Sequence, residues 1–395
     1  IFQAVIHTTA RITKQHPEKQ ISFISFSSAM HSVIAIDEND KPLTPCITWA
    51  DNRSEGWAHK IKEELNGHEV YKRTGTPIHP MAPLSKIAWI TNERKEIASK
   101  AKKYIGIKEY IFKQLFNEYV IDYSLASATG MMNLKGLDWD EEALRIAGIT
   151  PDHLSKLVPT TQIFQHCSPE IAIQMGIDPE TPFVIGASDG VLSNLGVNAI
   201  KKGEIAVTIG TSGAIRTIID KPQTDEKGRI FCYALTDKHW VIGGPVNNGG
   251  IVLRWIRDEF ASSEIETATR LGIDPYDVLT KIAQRVRPGS DGLLFHPYLA
   301  GERAPLWNPD VRGSFFGLTM SHKKEHMIRA ALEGVIYNLY TVFLALTECM
   351  DGPVTRIQAT GGFARSEVCR QMMSDIFESE VVVPESYESS CLGAC

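Results

Sequence analysis

Two stretches in the middle of the chain decide the expected fold: Pro182-Phe-Val-Ile-Gly-Ala-Ser-Asp-Gly-Val-Leu-Ser-Asn-Leu-Gly196 and Val207-Thr-Ile-Gly-Thr-Ser-Gly213. In the first stretch an apolar run passes Gly186, reaches a single carboxylate at Asp189, and continues after Gly190. Glycine on either side lets the backbone turn sharply, so we expect the carboxylate at a strand end, where open α/β sheets place their ligands. The alternative is a turn aspartate that bonds to its own backbone or caps a helix.

The second stretch turns at Gly210-Thr-Ser-Gly213, between the β-prone segments Gly203–Ile209 and Ala214–Ile219. Closely spaced backbone N–H groups, two hydroxyls and the lack of bulky side chains favour a phosphate site there, although a plain β-hairpin has the same pattern. Phosphoryl transfer needs a positioned phosphate and an acceptor for the proton of the attacking hydroxyl. The two stretches together predict such a site, with Asp189 as the proton acceptor.

Three more glycine turns follow strand-like segments, at Gly243-Gly244, Asn247 to Gly250 and Gly361-Gly362. At each of them the phosphates, ribose or base of a nucleotide could approach the backbone closely. The sequence contains neither the P-loop pattern Gly-x-x-x-x-Gly-Lys-Ser/Thr nor the glycine loop of protein kinases, so these two kinase folds are excluded.

A second group of polar residues has the chemistry to bind an acceptor with several hydroxyls. Met30-His31 lies in one predicted connection, and Trp49, Asp51 and Arg53 lie together in another. An aromatic face, a carboxylate and a guanidinium are typical of sites for a polyol or a sugar acid, although a single His or Trp is more often structural. Glu302-Arg303 is a further unusual pair, whose simplest interpretation is a surface ion pair of little consequence.

Composition limits the classes of partner. The chain has 395 residues, of which 43% are hydrophobic and 22% charged, enough to build more than one core. A formal net charge of -6 argues against nucleic acid or an anionic membrane as a partner. Seven cysteines without a Cys-x-x-Cys pair indicate reduced thiols rather than a disulfide framework or a zinc site. With no apolar run long enough to span a bilayer in the sequence pattern, we expect a cytoplasmic protein.

The order of the predicted elements repeats one theme, a strand followed by a glycine turn and a helix. The N-terminal half begins with an amphipathic helix and then two strands joined through Ser28–His31, and Leu84 to Tyr119 is predicted to be a mostly helical insertion. The C-terminal half is predicted to contain the following elements: a hairpin around Gly210, a strand at Trp240–Gly244, helices at Ile251–Arg257, Lys324–Met350 and Ser366–Phe377, and a strand at Thr355–Thr360.

Two long segments resemble the signatures of the FGGY carbohydrate kinases. They are Met81-Ala-Pro-Leu-Ser-Lys-Ile-Ala-Trp-Ile-Thr-Asn-Glu93, and Gly313-Ser-Phe-Phe-Gly-Leu through His326-Met-Ile-Arg-Ala-Ala-Leu-Glu333. The resemblance covers essentially the whole chain. Within the family, the segments Ser25–His31, Ile47–Arg53, Thr76–Met81 and Thr211–Arg216 are similar to those of bacillus-type members that act on gluconate.

The resemblance implies an α/β fold of two actin-like domains around a cleft, related to actin, Hsp70 and hexokinase. We expect residues 1–197 to bind the acceptor and residues 198–395 to bind ATP. The implied activity is transfer of the γ-phosphate of MgATP to the C6 hydroxyl of D-gluconate. Another acceptor such as xylulose or glycerol, or a nucleotide-gated sugar-binding protein without turnover, stays open as an alternative. A homodimer is among the assemblies that the resemblance allows.

Site residues carry over from the family position by position. The implied base is Asp189, and the implied acceptor contacts are Met30, His31, Trp49, Asp51, Arg53, His79 and Asp189. The implied ATP contacts are Gly210, Thr211, Ser212, Asn247, Gly249, Gly250, Gly361, Gly362 and Phe363, the last where many members have glycine or alanine. For the gluconate carboxylate, Arg53 or a protonated His31 or His79 is the expected partner.

The family pattern also begins before Ile1, with a strand, an Asp-x-Gly-Thr-Thr hairpin and a second strand, and it continues past Ala394 into a final helix. We therefore expect the sequence to be a piece of a longer protein. Because that hairpin holds magnesium and phosphate in the family, the metal ligands stay unassigned, apart from Asp189 acting through water.

Overall fold

The structure, a computed structural model, describes residues 1–384 and 389–395. Its α-helices are α1 Phe2–Gln15, α2 Glu55–Glu64, α3 Gly67–Thr74, α4 Pro83–Glu93, α5 Lys95–Ala98, α6 Ile107–Phe116, α7 Tyr123–Ser127, α8 Glu141–Ala147, α9 Pro169–Met175, α10 Asp189–Gly196, α11 Gly250–Phe260, α12 Ser262–Leu271, α13 Pro275–Ala283, α14 Lys324–Cys349, α15 Glu367–Phe377 and α16 Ser389–Ala394. Short 3-10 helices lie at Pro151–His153, Ser290–Gly292 and Gly362–Arg365.

The strands are β1 Ile24–Ser28, β2 Ile34–Ile36, β3 Lys103–Ile105, β4 Val120–Asp122, β5 Met132–Asn133, β6 Asp138–Trp139, β7 Lys156–Val158, β8 Ile163–Phe164, β9 Phe183–Ser188, β10 Glu204–Ile209, β11 Gly213–Ile219, β12 Phe231–Ala234, β13 Trp240–Val246, β14 Leu294–His296, β15 Ser314–Phe316, β16 Arg356–Thr360 and β17 Val381–Val382. Within the described residues they form one six-stranded sheet, one three-stranded sheet and four two-stranded pairs.

The six-stranded sheet organises the C-terminal half, in the order β12-β13-β11-β10-β16-β17. The predicted hairpin is confirmed, because β10 pairs antiparallel with β11, from Ile209 opposite Gly213 to Ile205 opposite Thr217. On its other side β10 pairs parallel with β16. Parallel neighbours end at the same edge, so the glycine turns that follow β10 and β16 lie side by side.

The three-stranded sheet of the N-terminal half has the order β1-β9-β8. Strands β1 and β9 are parallel, and Ser28 lies opposite Ser188 where both strands end. The connection after β1, which carries Met30 and His31, therefore meets the residue that follows β9, which is Asp189. This register brings an acceptor segment and the predicted base together from positions about 160 residues apart in the chain.

The long helix α14 lies in the core of the C-terminal half. Of the described residues, it forms the one helix long and apolar enough to cross a membrane, but 72% of its apolar window is buried inside the protein. Both faces of α14 contribute buried residues, among them Ile328 and Leu339 on one face and Ala330 and Gly334 on the other. The helix thus has the apolar character of an internal element that packs against β11, β13 and β14.

The stretch from Leu84 to Tyr119 differs from the predicted mostly helical insertion, because β3 separates α5 from α6. Strand β3 pairs antiparallel with β2, with Ile34 opposite Ile105. Tyr104 and Ile105 are buried by this pairing. Three residues are too few to display a strand period, so a pairing between distant segments decided the local structure here.

Helix α10, which begins at Asp189, is crossed closely by α16. A Cβ atom on Gly196 of α10 would lie 1.7 Å from the carbonyl oxygen of Ser389, and one on Gly393 of α16 would lie 1.9 Å from that of Leu192. Only glycine lets the two backbones approach to this distance. The end of the described chain therefore supports the helix that carries the predicted base.

Candidate active site

Several of the predicted acceptor and phosphate residues line one cavity between the two halves of the chain, with a volume of about 300 Å³. Its lining comprises Ala29, Met30, His31, Trp49, Asp189, Gly190, Thr208, Gly210, Ser212, Gly213, Ala214, Arg216, Phe231, Tyr233, Pro245 and Arg303. We call this the acceptor cavity. Both halves contribute to its lining, and the expectation that the N-terminal half binds most of the acceptor stays a prediction.

A second cavity of about 400 Å³ lies on the other side of the β10–β11 turn. It is lined by Ile209, Gly210, Thr211, Gly250, Leu253, Arg254, Asp274, Tyr276, Asp277, Thr280, Gly362, Phe363, Arg365, Ser366 and Cys369. We call this the nucleotide cavity. Because Gly210 borders both cavities, a phosphate chain that runs past this glycine turn would join them.

Asp189 is the first residue of α10 and follows β9 directly, so it lies at a strand-to-helix junction rather than in the separate turn that the sequence suggested. One carboxylate oxygen, Oδ1, accepts a hydrogen bond of 2.7 Å from the backbone N–H of Gly190. Burial raises the pKa of Asp189, whereas the Arg216 cation, the Gly190 N–H and, more weakly, the Lys108 cation lower it. Asp189 is thus a basic carboxylate that nearby positive charges help to keep ionised.

Lys108 holds the C-terminal end of β9 through hydrogen bonds to its backbone. Its Nζ donates to Asp122 Oδ2 at 2.7 Å and to the carbonyls of Ile185 and Ala187 at 3.0 and 3.2 Å, and both charged side chains are buried. Breaking a buried pair by removing one partner leaves an uncompensated charge, so this pair constrains the backbone next to Asp189. Our sequence interpretation missed Lys108, although a lysine on the apolar face of predicted helix α6 was a visible signal.

His31 lies in the acceptor cavity as a neutral imidazole. Its Nδ1 lies 2.9 Å from the carbonyl oxygen of Ala128, which only a protonated Nδ1 can bond. Burial and, to a lesser extent, the Lys86 cation lower the pKa of His31 to about 3, against the smaller opposing effect of the Ala128 bond. At neutral pH the ring therefore presents Nε2 as a hydrogen-bond acceptor, suited to a hydroxyl rather than to a carboxylate.

His79 is also neutral, since burial and the Arg303 cation lower its pKa to about 4. Its Nδ1 accepts from the backbone N–H of Met81 at 3.1 Å, and its ring packs edge-on against Trp307. His79 lies outside the lining of both cavities. Burial thus disfavours a positive charge on either histidine, and a protonated His31 or His79 as the partner of a carboxylate stays a prediction.

Lys86 ties the acceptor segments together, a role that sequence reasoning missed. Its buried Nζ donates to three carbonyl oxygens, those of His31 and Thr48 at 2.7 Å and that of Met81 at 2.8 Å. These carbonyls belong to three separate connections, so one side chain sets their relative positions. Burial lowers the pKa of Lys86 to about 7, but donation to all three carbonyls requires the ammonium form. The signal was present in the first family signature, where Lys86 interrupts an apolar helix face.

The three residues of the Trp-x-Asp-x-Arg run have different surroundings. Trp49 lines the acceptor cavity, while Asp51 and Arg53 lie outside it and pair with each other at 2.6 Å. The Arg53 guanidinium also lies 5.3 Å from the ring centroid of Trp89, and its side chain is largely exposed. The structure therefore separates Arg53 from the residues that surround Asp189.

Arg303 and Arg216 are the cations that line the acceptor cavity. The Arg303 guanidinium lies 5.6 Å from the ring centroid of Trp49 and donates to Asn247 Oδ1 at 2.7 Å. Glu302 is buried and does not form the expected surface ion pair. Its carboxylate instead accepts hydrogen bonds from backbone and amide N–H groups, namely those of Asn247, Asn248, Arg303 and Asn338.

The remaining predicted ATP residues shape the backbone around Gly210. Gly361 has φ +86°, and a Cβ there would lie 2.3 Å from the carbonyl oxygen of Ile209. A Cβ on Gly249 would lie 2.6 Å from that of Ser212. Gly249, Gly361 and Asn247 line neither cavity. The two glycines allow the turns to approach each other closely, and Asn247 orients Arg303.

The chain was compared with known proteins. Residues 1–196 match the N-terminal domain, and residues 205–395 the C-terminal domain, of the FGGY family of carbohydrate kinases. The chain is 99% identical over 395 residues to a gluconokinase of Bacillus subtilis (strain 168), covering all of this chain and 77% of that protein. Two solved structures from Lactobacillus acidophilus, described as a gluconate kinase and as a ligand-bound xylulose kinase, each have 41% identity and a TM-score of 0.94 and cover 100% of this chain and 78% of theirs. The chain therefore belongs to the FGGY family of carbohydrate kinases and has the two-domain fold of that family.

Proposed function

We propose that the protein phosphorylates D-gluconate, transferring the γ-phosphate of ATP to the C6 hydroxyl and releasing 6-phospho-D-gluconate and ADP. The observation that carries the proposal is the shared position of Gly210, which separates a cavity containing Asp189 from a second, nucleotide-sized cavity. Kinase membership makes ATP the expected donor. The gluconokinase that is 99% identical supports gluconate as the acceptor.

In the proposed reaction Asp189 accepts the proton of the C6 hydroxyl as its oxygen attacks the γ-phosphorus. The new C6–O–P linkage forms while the bond from the γ-phosphorus to the β–γ bridging oxygen breaks, and ADP leaves with that oxygen. The Gly210 N–H donates to the Ser212 carbonyl at 2.9 Å, so the backbone N–H groups and hydroxyls of Thr211 and Ser212 would be directed at the transferred group. The neutral His31 would accept a hydrogen bond from another hydroxyl of the sugar and so orient it.

Mg²⁺ would enter this site with the phosphates of ATP. Among residues 1–384 and 389–395, no three His, Cys, Asp or Glu side chains lie close enough together to hold a metal ion. Mg²⁺ commonly keeps several waters and binds through substrate phosphates with one or two carboxylates, and Asp189 would take part through water. When bound, the ion would neutralise phosphate charge during transfer.

The test is Asp189→Asn in the full-length protein, with Asp237→Asn as a matched control at an exposed aspartate. Loss of a general base lowers turnover by about 10²- to 10⁴-fold, and the asparagine preserves shape, so gluconate binding is expected to persist. ADP release measured with a coupled assay reports turnover, and calorimetry reports binding. A near-normal rate for Asp189→Asn would remove Asp189 from the chemistry.

A second acceptor has a specific observation in its favour, because one structure with 41% identity is described as a xylulose kinase. Phosphate chemistry does not depend on the identity of the sugar, so the same site could serve xylulose. Comparing kcat/KM for gluconate, xylulose and glycerol decides among them. A protein that binds nucleotide and sugar but releases no ADP with any acceptor would instead be a sensor.

A further inference from the structure

We propose that Arg303 binds the carboxylate of the acceptor and thereby sets the preference for a sugar acid over a neutral sugar. This assignment rests on the proposed function, and it names a residue outside the segments that suggested an acceptor site in the sequence.

The first argument is that, among the described residues, no carboxylate contacts the Arg303 guanidinium, and the Glu302 carboxylate acts on it only at longer range. The guanidinium donates instead to the neutral oxygens of Asn247 and Val246, at 2.7 and 3.2 Å. The adjacent Glu302 carboxylate is occupied by four N–H donors. A half-buried cation without a counterion is destabilising, so a ligand that carries a negative charge would be favoured here.

The second argument comes from the charges around the acceptor cavity. Its lining contains the two guanidinium groups of Arg216 and Arg303 and the single carboxylate of Asp189, while His31 is neutral. Burial lowers the pKa of Arg303, the Glu302 carboxylate opposes this shift, and repulsion by the Arg216 cation lowers the pKa further. The lining therefore has a net charge of +1, and an acceptor with one carboxylate would make it neutral.

The third argument is positional. Arg216 is the cation that acts most strongly on Asp189, and its Nη1 also donates to Ser193 of α10. Arg303 lies over the ring of Trp49 instead, in a different segment of the lining. A six-carbon acid whose terminal hydroxyl lies at Asp189 would thus direct its other end towards Arg303. Nη1 of Arg303 makes no hydrogen bond among the described residues, which leaves it available as a donor.

The experiment compares Arg303→Met and Arg303→Lys with the wild-type, full-length protein. The KM for gluconate is measured beside the inhibition constant of D-glucitol, a neutral polyol of equal length, as a competitor. Removing a hydrogen bond to a charged group is expected to raise the gluconate KM about 10- to 100-fold in Arg303→Met, while the D-glucitol constant and the KM for ATP change less than about threefold. Arg303→Lys keeps the positive charge but lacks the two parallel N–H donors of the guanidinium, so it should recover part of the lost affinity for gluconate.

Arg53→Met is measured in parallel, because Arg53 is the residue that the sequence favoured. Loss of the preference for the acid in Arg53→Met but not in Arg303→Met would overturn the assignment. An Arg303→Met variant in which the KM for ATP rises and the KM for gluconate does not would overturn it as well. If wild-type protein does not phosphorylate gluconate, the proposed function fails first. If it does, and Arg303→Met still prefers gluconate over D-glucitol as strongly, only the Arg303 assignment fails. The ratio of the two constants would not respond selectively to a general loss of folding.

Discussion

The neutral state of His31 leads to a prediction about stability at mildly acidic pH. The pKa of His31 is about 3 in the folded protein and 6.5 as an ordinary histidine. Above pH 6.5 the residue is neutral in both states and its contribution to stability is intact. As the pH falls below 6.5 the unfolded chain takes up a proton that the folded protein does not, so stability is lost, until the pH reaches about 3.

The loss of unfolding free energy between pH 7.5 and pH 5.5 does not depend on the exact pKa of His31 in the folded protein. An unfolded histidine with pKa 6.5 gains nearly one proton over these two pH units, while His31 in the folded protein gains essentially none. This difference destabilises the folded protein by about 1.4 kcal/mol. His31→Asn removes the titrating group, and asparagine tolerates the positive backbone φ of +66° at this position. The variant should therefore lose about 1.4 kcal/mol less than wild type over the same interval.

Urea unfolding at the two pH values measures this double difference, in which the other titrating groups, including Lys86 and His79, contribute to both proteins alike. His7→Asn is the matched control, because it makes the same substitution at an exposed histidine. If His31→Asn and wild type lose equal free energy, His31 takes up its proton in the folded protein. The neutral acceptor role would then be refuted, and a His31 cation would return as a partner for the carboxylate.

Two other predictions concern residues that surround the site without being the base. Lys86→Met leaves three backbone carbonyls without their donor and releases the acceptor segments. In steady-state kinetics the KM for gluconate should therefore rise about tenfold or more, while the KM for ATP should stay within about twofold of the wild-type value. Equal changes in both constants would contradict this. Arg216→Gln removes the cation that lowers the pKa of Asp189, so the acid limb of the kcat/KM profile should move to higher pH, and an unmoved limb would separate Arg216 from Asp189.

Much of the fold was predictable where the sequence pattern is long enough to show a period. The hairpin around Gly210 and the long helix α14 were both predicted from alternation or from a helical stripe, and the structure confirms them. The elements that the sequence did not predict were mainly short strands. The predicted helical insertion missed β3, whose partner β2 is distant in the chain, and β12 was not predicted although its partner β13 is the next strand. Strands of three or four residues are too short to show a period.

The residues of the candidate site also fall into those that the sequence could identify and those that it could not. Sequence motifs identified the residues that stand in connections, such as Asp189, His31 and Trp49, because connections at strand ends carry unusual polar residues. They did not identify Lys86 or Lys108, which act from inside helices on the backbone of other segments. The importance of such lysines depends on which carbonyls they reach, and that is determined by the packing of helices against loops rather than by neighbouring sequence.

The charges of the acceptor cavity also bear on how one fold serves several acceptors. The two Lactobacillus acidophilus structures agree in identity, coverage and TM-score and differ in the acceptor that their descriptions name, so likeness of the backbone does not by itself identify the substrate. Hydroxyl contacts discriminate poorly between polyols and sugar acids, since both present a row of hydroxyls. A carboxylate differs from them by a full charge, and a half-buried guanidinium that no carboxylate contacts among the described residues would distinguish that charge without any change in the backbone. Acceptor choice would therefore depend on the few side chains, Arg303 among them, that set the net charge around Asp189.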